Sequence, residues 1–498
     1  MTRSTTHRAL AAAAIFAACP AADLALACGA CRSAKPLAHH CAPAAPAASA
    51  EHHHEACILI DHHPAEGRTL FAYPRFTGVV PPEKIANVFN NRSTTVPVLN
   101  SRPGAPHTIF LDFDGNVENG VWADSAGLPA IVTQPFDLDG DTASFSSDEQ
   151  NRIFEVWQRV SEDFAPFDVN VTTVEPPVFN NAQAVHVVFE GDSSWFGPAG
   201  GVAFLNSFYR SDDAPCWVFV DGTGGGWAKG MAEAASHEVG HTVGLLHQAY
   251  YENGVFIREY SRGDEEVGYE GPDAWAPIMG VGYNLPVVTW HNGPTNQGAN
   301  AFQWDMAFLN DAFTRLPDDH GNTLATATPV TLDADGEATI DALIERNVDT
   351  DAFKVTLQNG GRIPAAVFPP TPGPNLDAIV ELADANGVFA TADPDGSINA
   401  AVGRVGLAPG DYAVLVRPNG DYGKIGNYQL RLAVVEDAPA DCPGDATGDN
   451  LVNADDLLVI LGAFGSSASG AAQGDLTGDG LVNADDLLEV LGAFGAGC

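Results

Sequence analysis

The stretch SHEVGHTVGLLHQAY, residues 236–250, puts three of the chain's 15 histidines and a glutamate into eleven positions. The Ala-rich, proline-free run leading into it predicts a helix over 231–243. On such a helix His237 and His241, four residues apart, share one face, so two imidazoles reach one metal ion. Glu238 stands next to the first of them, within reach of a water on that ion. Gly244 is the natural helix stop, because glycine adopts the left-handed backbone that a sharp exit requires. Beyond it the chain can swing back and offer His247 as a third ligand. Three neutral imidazoles form the donor set of a tetrahedral zinc ion with one position open to water, and a carboxylate beside it is placed to take that water's proton.

Downstream, APIMGVGY sets Met279, one of only four methionines, in a tight turn 32 residues after His247. The pattern His-Glu-x-x-His-x-x-Gly-x-x-His followed by a Met-turn resembles the metzincin clan of zinc endopeptidases. EDFAPFDVNVTT (162–173) and TWHNGPTNQGANAFQWDMAFL (289–309) are similar to its reprolysin-like and matrixin-like bacterial members, and the resemblance covers residues 105–316. It implies an α/β (α+β) catalytic domain: an upper lobe with a twisted sheet and two helices, zinc at its base, and a smaller lower lobe ending in a helix near 300–314. It implies His237, His241 and His247 as zinc ligands, Glu238 as general base and Met279 as the hydrophobic floor under the metal. Tyr283 is the candidate for a transition-state contact, although it follows the Met by four positions rather than two. GGVAFLNSFY (200–209) reads as an edge strand able to pair with an extended protein or peptide substrate. A matrixin-style PRCGVPD inhibitory stretch is missing.

The remaining sequence reads as further modules, about three domains being expected for 498 residues. Residues 1–27 have a basic start, an Ala-rich apolar stretch and an Ala-Leu-Ala ending, the pattern of a secretory signal, which predicts an extracellular protein without a transmembrane segment. Lipid attachment at Cys28 is a second reading, though the Leu three positions before it is missing. Residues 28–104, rich in Ala, Pro and His, are expected to be a low-complexity leader or prosegment, with a first strand at His107 and a mature chain beginning between Pro64 and Pro106. HTIFLDF, VNVTTV, AVHVVFE and CWVFVD read as strands, and SSDEQNRIFEVWQRVSEDF as a helix with a capping box from Ser146 to Glu149 and a core stripe of Ile153, Trp157, Val160 and Phe164. IFLDFDG (109–115) also matches a phosphatase nucleophile motif, but a lone short match in this context is set aside: Asp112 and Asp114 close a strand.

After Leu316 short alternating runs separated by turn residues argue an all-β sandwich over 317–436, and DDHGNTLATATPV with NVDTDAFKVTL and GNYQLRL resembles the prepeptidase C-terminal domain. Asp349 and Asp351 read there as turn acids before cation ligands. The tail, 441–498, repeats GDATGDNLVNADDLLVILGAFG as GDLTGDGLVNADDLLEVLGAFG with a period of 30. Each copy has the oxygen spacing of a twelve-residue calcium loop. In the first, Asp445, Thr447, Asp449, the Leu451 carbonyl, Asn453 and Asp456 take positions 1, 3, 5, 7, 9 and 12; in the second, Asp475, Thr477, Asp479, Leu481, Asn483 and Asp486 do. Asp at position 12, the helix that follows and the tandem pairing resemble a small all-α, EF-hand-like type I dockerin, which implies a cohesin-like or cell-surface partner. Cys442 and Cys498 bracket this tail and are the plausible disulfide pair.

A net charge of −41 excludes nucleic acid and anionic lipid as partners. The function expected is a secreted metalloendopeptidase using Zn2+, with a Ca2+-dependent attachment module. The alternatives are a non-catalytic calcium-dependent adhesion or scaffold protein, and an accessory protein of an extracellular polysaccharide-degrading assembly.

Overall fold

The computed structural model describes residues 69–498 except 83, 180, 421, 438–441, 450, 469 and 496–498. The chain divides into two units, Met1–Ala56 and Cys57–Cys498, and all described residues belong to the second. The leader's His clusters, Cys28, Asn450 and Cys498 therefore lie outside the described residues. The architecture is mixed and β-rich, with several sheets and few helices. Among the described residues no helix is long and apolar enough to cross a membrane.

The strands β1 (Leu70–Tyr73), β2 (His107–Asp112), β3 (Val169–Thr172), β4 (Ala184–Glu190), β5 (Gly201–Phe204) and β6 (Cys216–Phe219) form one six-stranded sheet in the order β1-β5-β6-β4-β2-β3. β6, β4, β2 and β3 are parallel neighbours, while β5 runs antiparallel to both β6 and β1. The central strands are near-continuous apolar runs because both faces are covered. On one face Ile109, Leu111, Val187 and Val218 pack with Ile153, Val156 and Val239 of the helices; on the other Val188, Trp217 and Phe219 pack with Trp122.

Helix α1 (Ser147–Asp163) starts at the expected capping box, in which the Ser146 hydroxyl accepts from Glu149 N at 3.2 Å and Glu149 Oε2 accepts from Ser146 N at 2.6 Å. Helix α2 (Ala228–Thr242) begins three residues before the predicted 231–243 and ends one residue sooner. It is buried at every position except Lys229, which suits its small residues: only a narrow helix fits between the sheet and the layer below. Helix α3 (Asp305–Phe313) closes this part of the chain.

Two five-stranded sheets follow. Strands β7 (Glu337–Leu343), β8 (Asp351–Leu357), β9 (Gly361–Phe368), β10 (Ala378–Asp384), β11 (Gly387–Ala392), β12 (Ala400–Leu407), β13 (Gly410–Pro418) and β14 (Asn427–Ala433) order as Thr328–Pro329, β8, β13, β10, β11 in one and β7, β14, β9, β12 in the other, where Val435–Glu436 also pairs with β9. This sandwich docks on α1: Glu162 accepts from Asn427 N at 2.9 Å and Nδ2 at 2.6 Å, and Asn375 Nδ2 donates to Asp163 at 3.0 Å. The tail holds helices α4 (Ala454–Ala463) and α5 (Ala484–Ala493) around a small core of Ala446, Val452, Ile460, Val482 and Val490. Cys442 is disulfide-bonded, and Cys216 is a free, buried thiol in β6.

One expectation is corrected here. The segment before His107 is no coreless leader throughout: β1 is the first described strand, with Phe71 5% and Tyr73 0% exposed. Its aromatic side chains fill the cleft below the sheet edge, a long-range partner that local composition does not reveal.

Candidate functional site

The cleft is built from α2 upward. His237 and His241 lie on one face of it; the chain then leaves the helix at Gly244, whose φ of +108° is open to glycine. The return segment is braced by Gln303, which accepts from Leu246 N at 2.8 Å and donates to Leu246 O at 3.0 Å. His247 is thereby held against the other two, with ring centroids 4.6, 4.8 and 5.2 Å apart. All three are at most 1% exposed, and one ligand atom from each lies within 4.8 Å of the others.

Each ring is oriented through Nδ1: His237 to Ile278 O at 2.8 Å, His241 to Leu245 O at 2.6 Å, and His247 to Glu259 Oε1 at 2.7 Å. A carbonyl oxygen only accepts, so Nδ1 of His237 and His241 carries the proton. Burial and neighbouring histidines push both well below the ordinary histidine range, so the rings are neutral. Their Nε2 lone pairs then face each other at 3.0 Å, and the buried His247 Nε2 has no partner. Mutually directed lone pairs repel unless a cation lies among them, and the donor set suits zinc.

Glu238 Oε1 accepts from Tyr73 N at 3.0 Å, while its buried Oε2 has no partner; burial pushes this carboxyl well above its usual range. β5 passes so close that a Cβ on Gly201 would stand 2.8 Å from Glu238 Cγ. Met279 is fully buried, and a Cβ on Gly240 would come within 2.5 Å of its Sδ, so helix and Met-turn pack without room for a side chain between them. The Tyr283 hydroxyl donates to Pro74 O at 3.0 Å, and its ring lies 5.1 Å from that of Tyr73. Two phenols lie beside the histidines: Tyr73, whose ring is 4.5 Å from that of His237, and Tyr260, whose ring is 4.5 Å from that of His247 and whose hydroxyl donates to Ala72 O at 2.6 Å. Sequence reading missed Tyr260 and Glu259, because they reach the site from the bend that follows a hairpin, Tyr250–Glu252 and Val255–Arg258, and neither carries a motif. β5 lies next to the cleft as expected, but its free edge is taken by β1.

In the tail, the Asp445, Asp449 and Asp456 carboxylates lie within 4.8 Å of one another. Asp456 accepts from Thr447 N at 2.9 Å and from Asn453 N at 2.8 Å, and Asp486 makes the same pair of bonds to Thr477 N and Asn483 N. Asp475 accepts from Asp479 N and Gly480 N, and Gly480 has the positive φ, +88°, of position 6. The Leu451 and Leu481 side chains are exposed. Asp349, read as a turn acid, closes a turn through its N–H to Arg346 O at 3.1 Å, and Asp351 opens β8; the two are 5% and 0% exposed and group with Asp318, near Asp319 and Glu345. Burial pushes Asp351 up to about 8, and Asp349 Oδ2, Asp351 Oδ1 and Glu345 Oε2 have no partner. Asp112 is the last residue of β2 and Asp114 lies just beyond it; Asp112 bonds His186 Nε2 at 2.9 Å, and although burial opposes the charge, Asp112 and Asp213 hold His186 up at about 9.

No family model and no curated protein matches the chain. Part of it is similar to solved β structures. The pre-peptidase C-terminal domain of collagenase from Bacillus anthracis is 15% identical over 23% of this chain and 98% of that one, with a TM-score of 0.17. PliG from Aeromonas hydrophila, a periplasmic lysozyme inhibitor of g-type lysozyme, is 14% identical over 22% of this chain and 96% of that one, with a TM-score of 0.19.

Proposed function

We propose that this chain is a secreted, zinc-dependent endopeptidase of the metzincin type, carrying a prepeptidase C-terminal-like sandwich and a calcium-binding, dockerin-like tail. The observation that carries the reading is the buried trio of neutral imidazoles with converging Nε2 lone pairs, next to a carboxylate with one unpartnered oxygen. His237, His241 and His247 would hold the ion, which when bound supplies Lewis acidity to water and to a peptide carbonyl. Glu238 then takes a proton from water and returns it to the departing amine. Tyr260 donates to the carbonyl oxygen as negative charge grows there. An extended peptide would pair with the edge of β5 that β1 occupies in this structure, once β1 has left it.

The tail reading rests on the two oxygen-rich loops, Asp445–Asp456 and Asp475–Asp486, and on the duplicated exposed residues Leu458 and Leu488, Leu461 and Leu491, Phe464 and Phe494. Paired apolar positions on two equivalent helices suit a cohesin-like partner. Zinc analysis of the purified chain, with digestion of casein and of a glycan panel, tests the proposal. One zinc per chain with peptide cleavage is expected; one zinc without cleavage of any peptide would leave the adhesion reading, and cleavage of glycans alone would leave the polysaccharide reading.

A further inference from the structure

β1 does more than cover the cleft. It pairs antiparallel with β5 in the register Leu70↔Phe204, Phe71↔Ala203, Ala72↔Val202 and Tyr73↔Gly201, and Gly200 N donates to Tyr73 O at 2.8 Å while Leu205 N donates to Thr69 O at 3.0 Å. This is the main-chain pairing expected of a bound peptide. Phe71 stacks on His241 with centroids 4.8 Å apart, and Tyr73 enters the pocket between His237 and Tyr283, at 4.5 and 5.1 Å.

A single peptide group meets both reacting functions of the site. Its carbonyl, Ala72 O, accepts from Tyr260 at 2.6 Å, and its amide, Tyr73 N, donates to Glu238 Oε1 at 3.0 Å. Those are the oxygen on which charge develops and the nitrogen that must receive a proton when an amide is hydrolysed. Past this bond the chain stays anchored: Tyr283 holds Pro74 O, Arg75 pairs with Asp221 at 3.2 Å, and Phe76 N donates to Gly222 O at 2.7 Å.

Resting on the endopeptidase reading, we propose that β1 is this chain's own substrate, and that the bond cut to release the leader is Ala72–Tyr73. Water oxygen adds to the Ala72 carbonyl carbon, one water proton passes by way of Glu238 to the Tyr73 nitrogen, and the C–N bond breaks; the second water proton then passes from the new Ala72 carboxyl group to the amine, leaving a carboxylate on Ala72 and an ammonium group on Tyr73. The pocket accordingly takes an aromatic side chain immediately after the cut and a second one two positions before it.

The test is N-terminal sequencing and intact mass of the full chain, followed over time at several dilutions, with the peptide TLFAYPRF (69–76) offered to the processed enzyme. A new N-terminus Tyr73-Pro74-Arg75 is expected to form at a rate independent of dilution, to be absent in Glu238→Ala and in Tyr73→Pro, and to form at least tenfold more slowly in Tyr260→Phe. The peptide should be cut between Ala and Tyr. A wild-type chain that cleaves casein but begins elsewhere, or a Glu238→Ala chain that still acquires Tyr73 as its first residue, overturns the inference and leaves the endopeptidase reading standing. A zinc-loaded chain that cuts neither itself nor any peptide overturns both. Should Tyr73→Pro fail to fold, Ala72→Asp, on the same bond, gives the same comparison.

Discussion

The cleft and the tail both gather side chains that could hold a metal ion, and they hold them in opposite ways. In the cleft the three histidines are buried and each is oriented through Nδ1 by the fold, two of them by backbone carbonyls. In the tail the acids come from loops and from the first turns of α4 and α5, over a core of five buried apolar residues among the described ones; Asp456 and Asp486 are buried while Asp445 and Asp449 reach solvent. The lesson is where the organising energy comes from. A large core orients neutral side chains through the hydrogen bonds at their far nitrogens, whereas a module of under about 60 residues buries little apolar surface to set against the repulsion of clustered carboxylates and chain entropy, and a cation would offset both.

Experiments can break this contrast. The largest effect is expected at Glu238→Ala, which should lower peptide turnover by about 10² to 10⁴ while zinc content stays at the wild-type level, since the carboxylate handles protons and the imidazoles hold the metal. His241→Ala should lose zinc and activity together yet keep its far-UV circular dichroism. A metal-free chain with an unfolded catalytic lobe would show that the cleft is no more preorganised than the tail.

Next comes the tail. Residues 441–498 alone should lose the helical signal of α4 and α5 in chelator and regain it with calcium. An unchanged spectrum would mean that the small core suffices. Tyr260→Phe removes one donor from the carbonyl oxygen and should lower kcat by about 10² to 10³ with KM little changed; an equal rise in KM would make Tyr260 a simple binding contact.

The smallest effect concerns the contact between α1 and the sandwich. Burial raises Glu162 from the ordinary 4.5 to about 8, with the Asn427 bonds working against the shift. The folded chain therefore binds this proton more tightly than the unfolded one. The stability it contributes is complete below about pH 4.5 and is lost as pH rises through about 8, at no more than about 1.4 kcal/mol per pH unit. Glu162→Gln lacks that slope, so its unfolding midpoint should rise relative to wild type between pH 5 and pH 9. A constant difference would place the pH dependence elsewhere.

The spacing of His237, Glu238, His241, Gly244 and His247 was readable because one helix and its stop bring those residues together, and helical geometry is local. The repeats of the tail were readable for the same reason, each ligand set lying within twelve residues. The capping box at Ser146 needed only four residues. What could not be read came from a distance. Tyr73 lies 165 positions from Glu238 and Tyr260 lies 188 from Ala72, and no periodicity in either segment announces the contact.

By itself, then, the sequence determined the spacing of the three histidines, the strands of the six-stranded sheet after His107 and the repeated oxygen-rich loops of the tail, because each depends on neighbours a few residues apart. Only the tertiary structure decided that Leu70–Tyr73 joins that sheet, that Tyr260 bonds Ala72 O while Tyr283 bonds Pro74 O, and that Asp349 and Asp351 are buried together. Those outcomes depend on which strand finds the open edge of β5 and which side chains then share one low-dielectric interior, and the completed packing alone settles both.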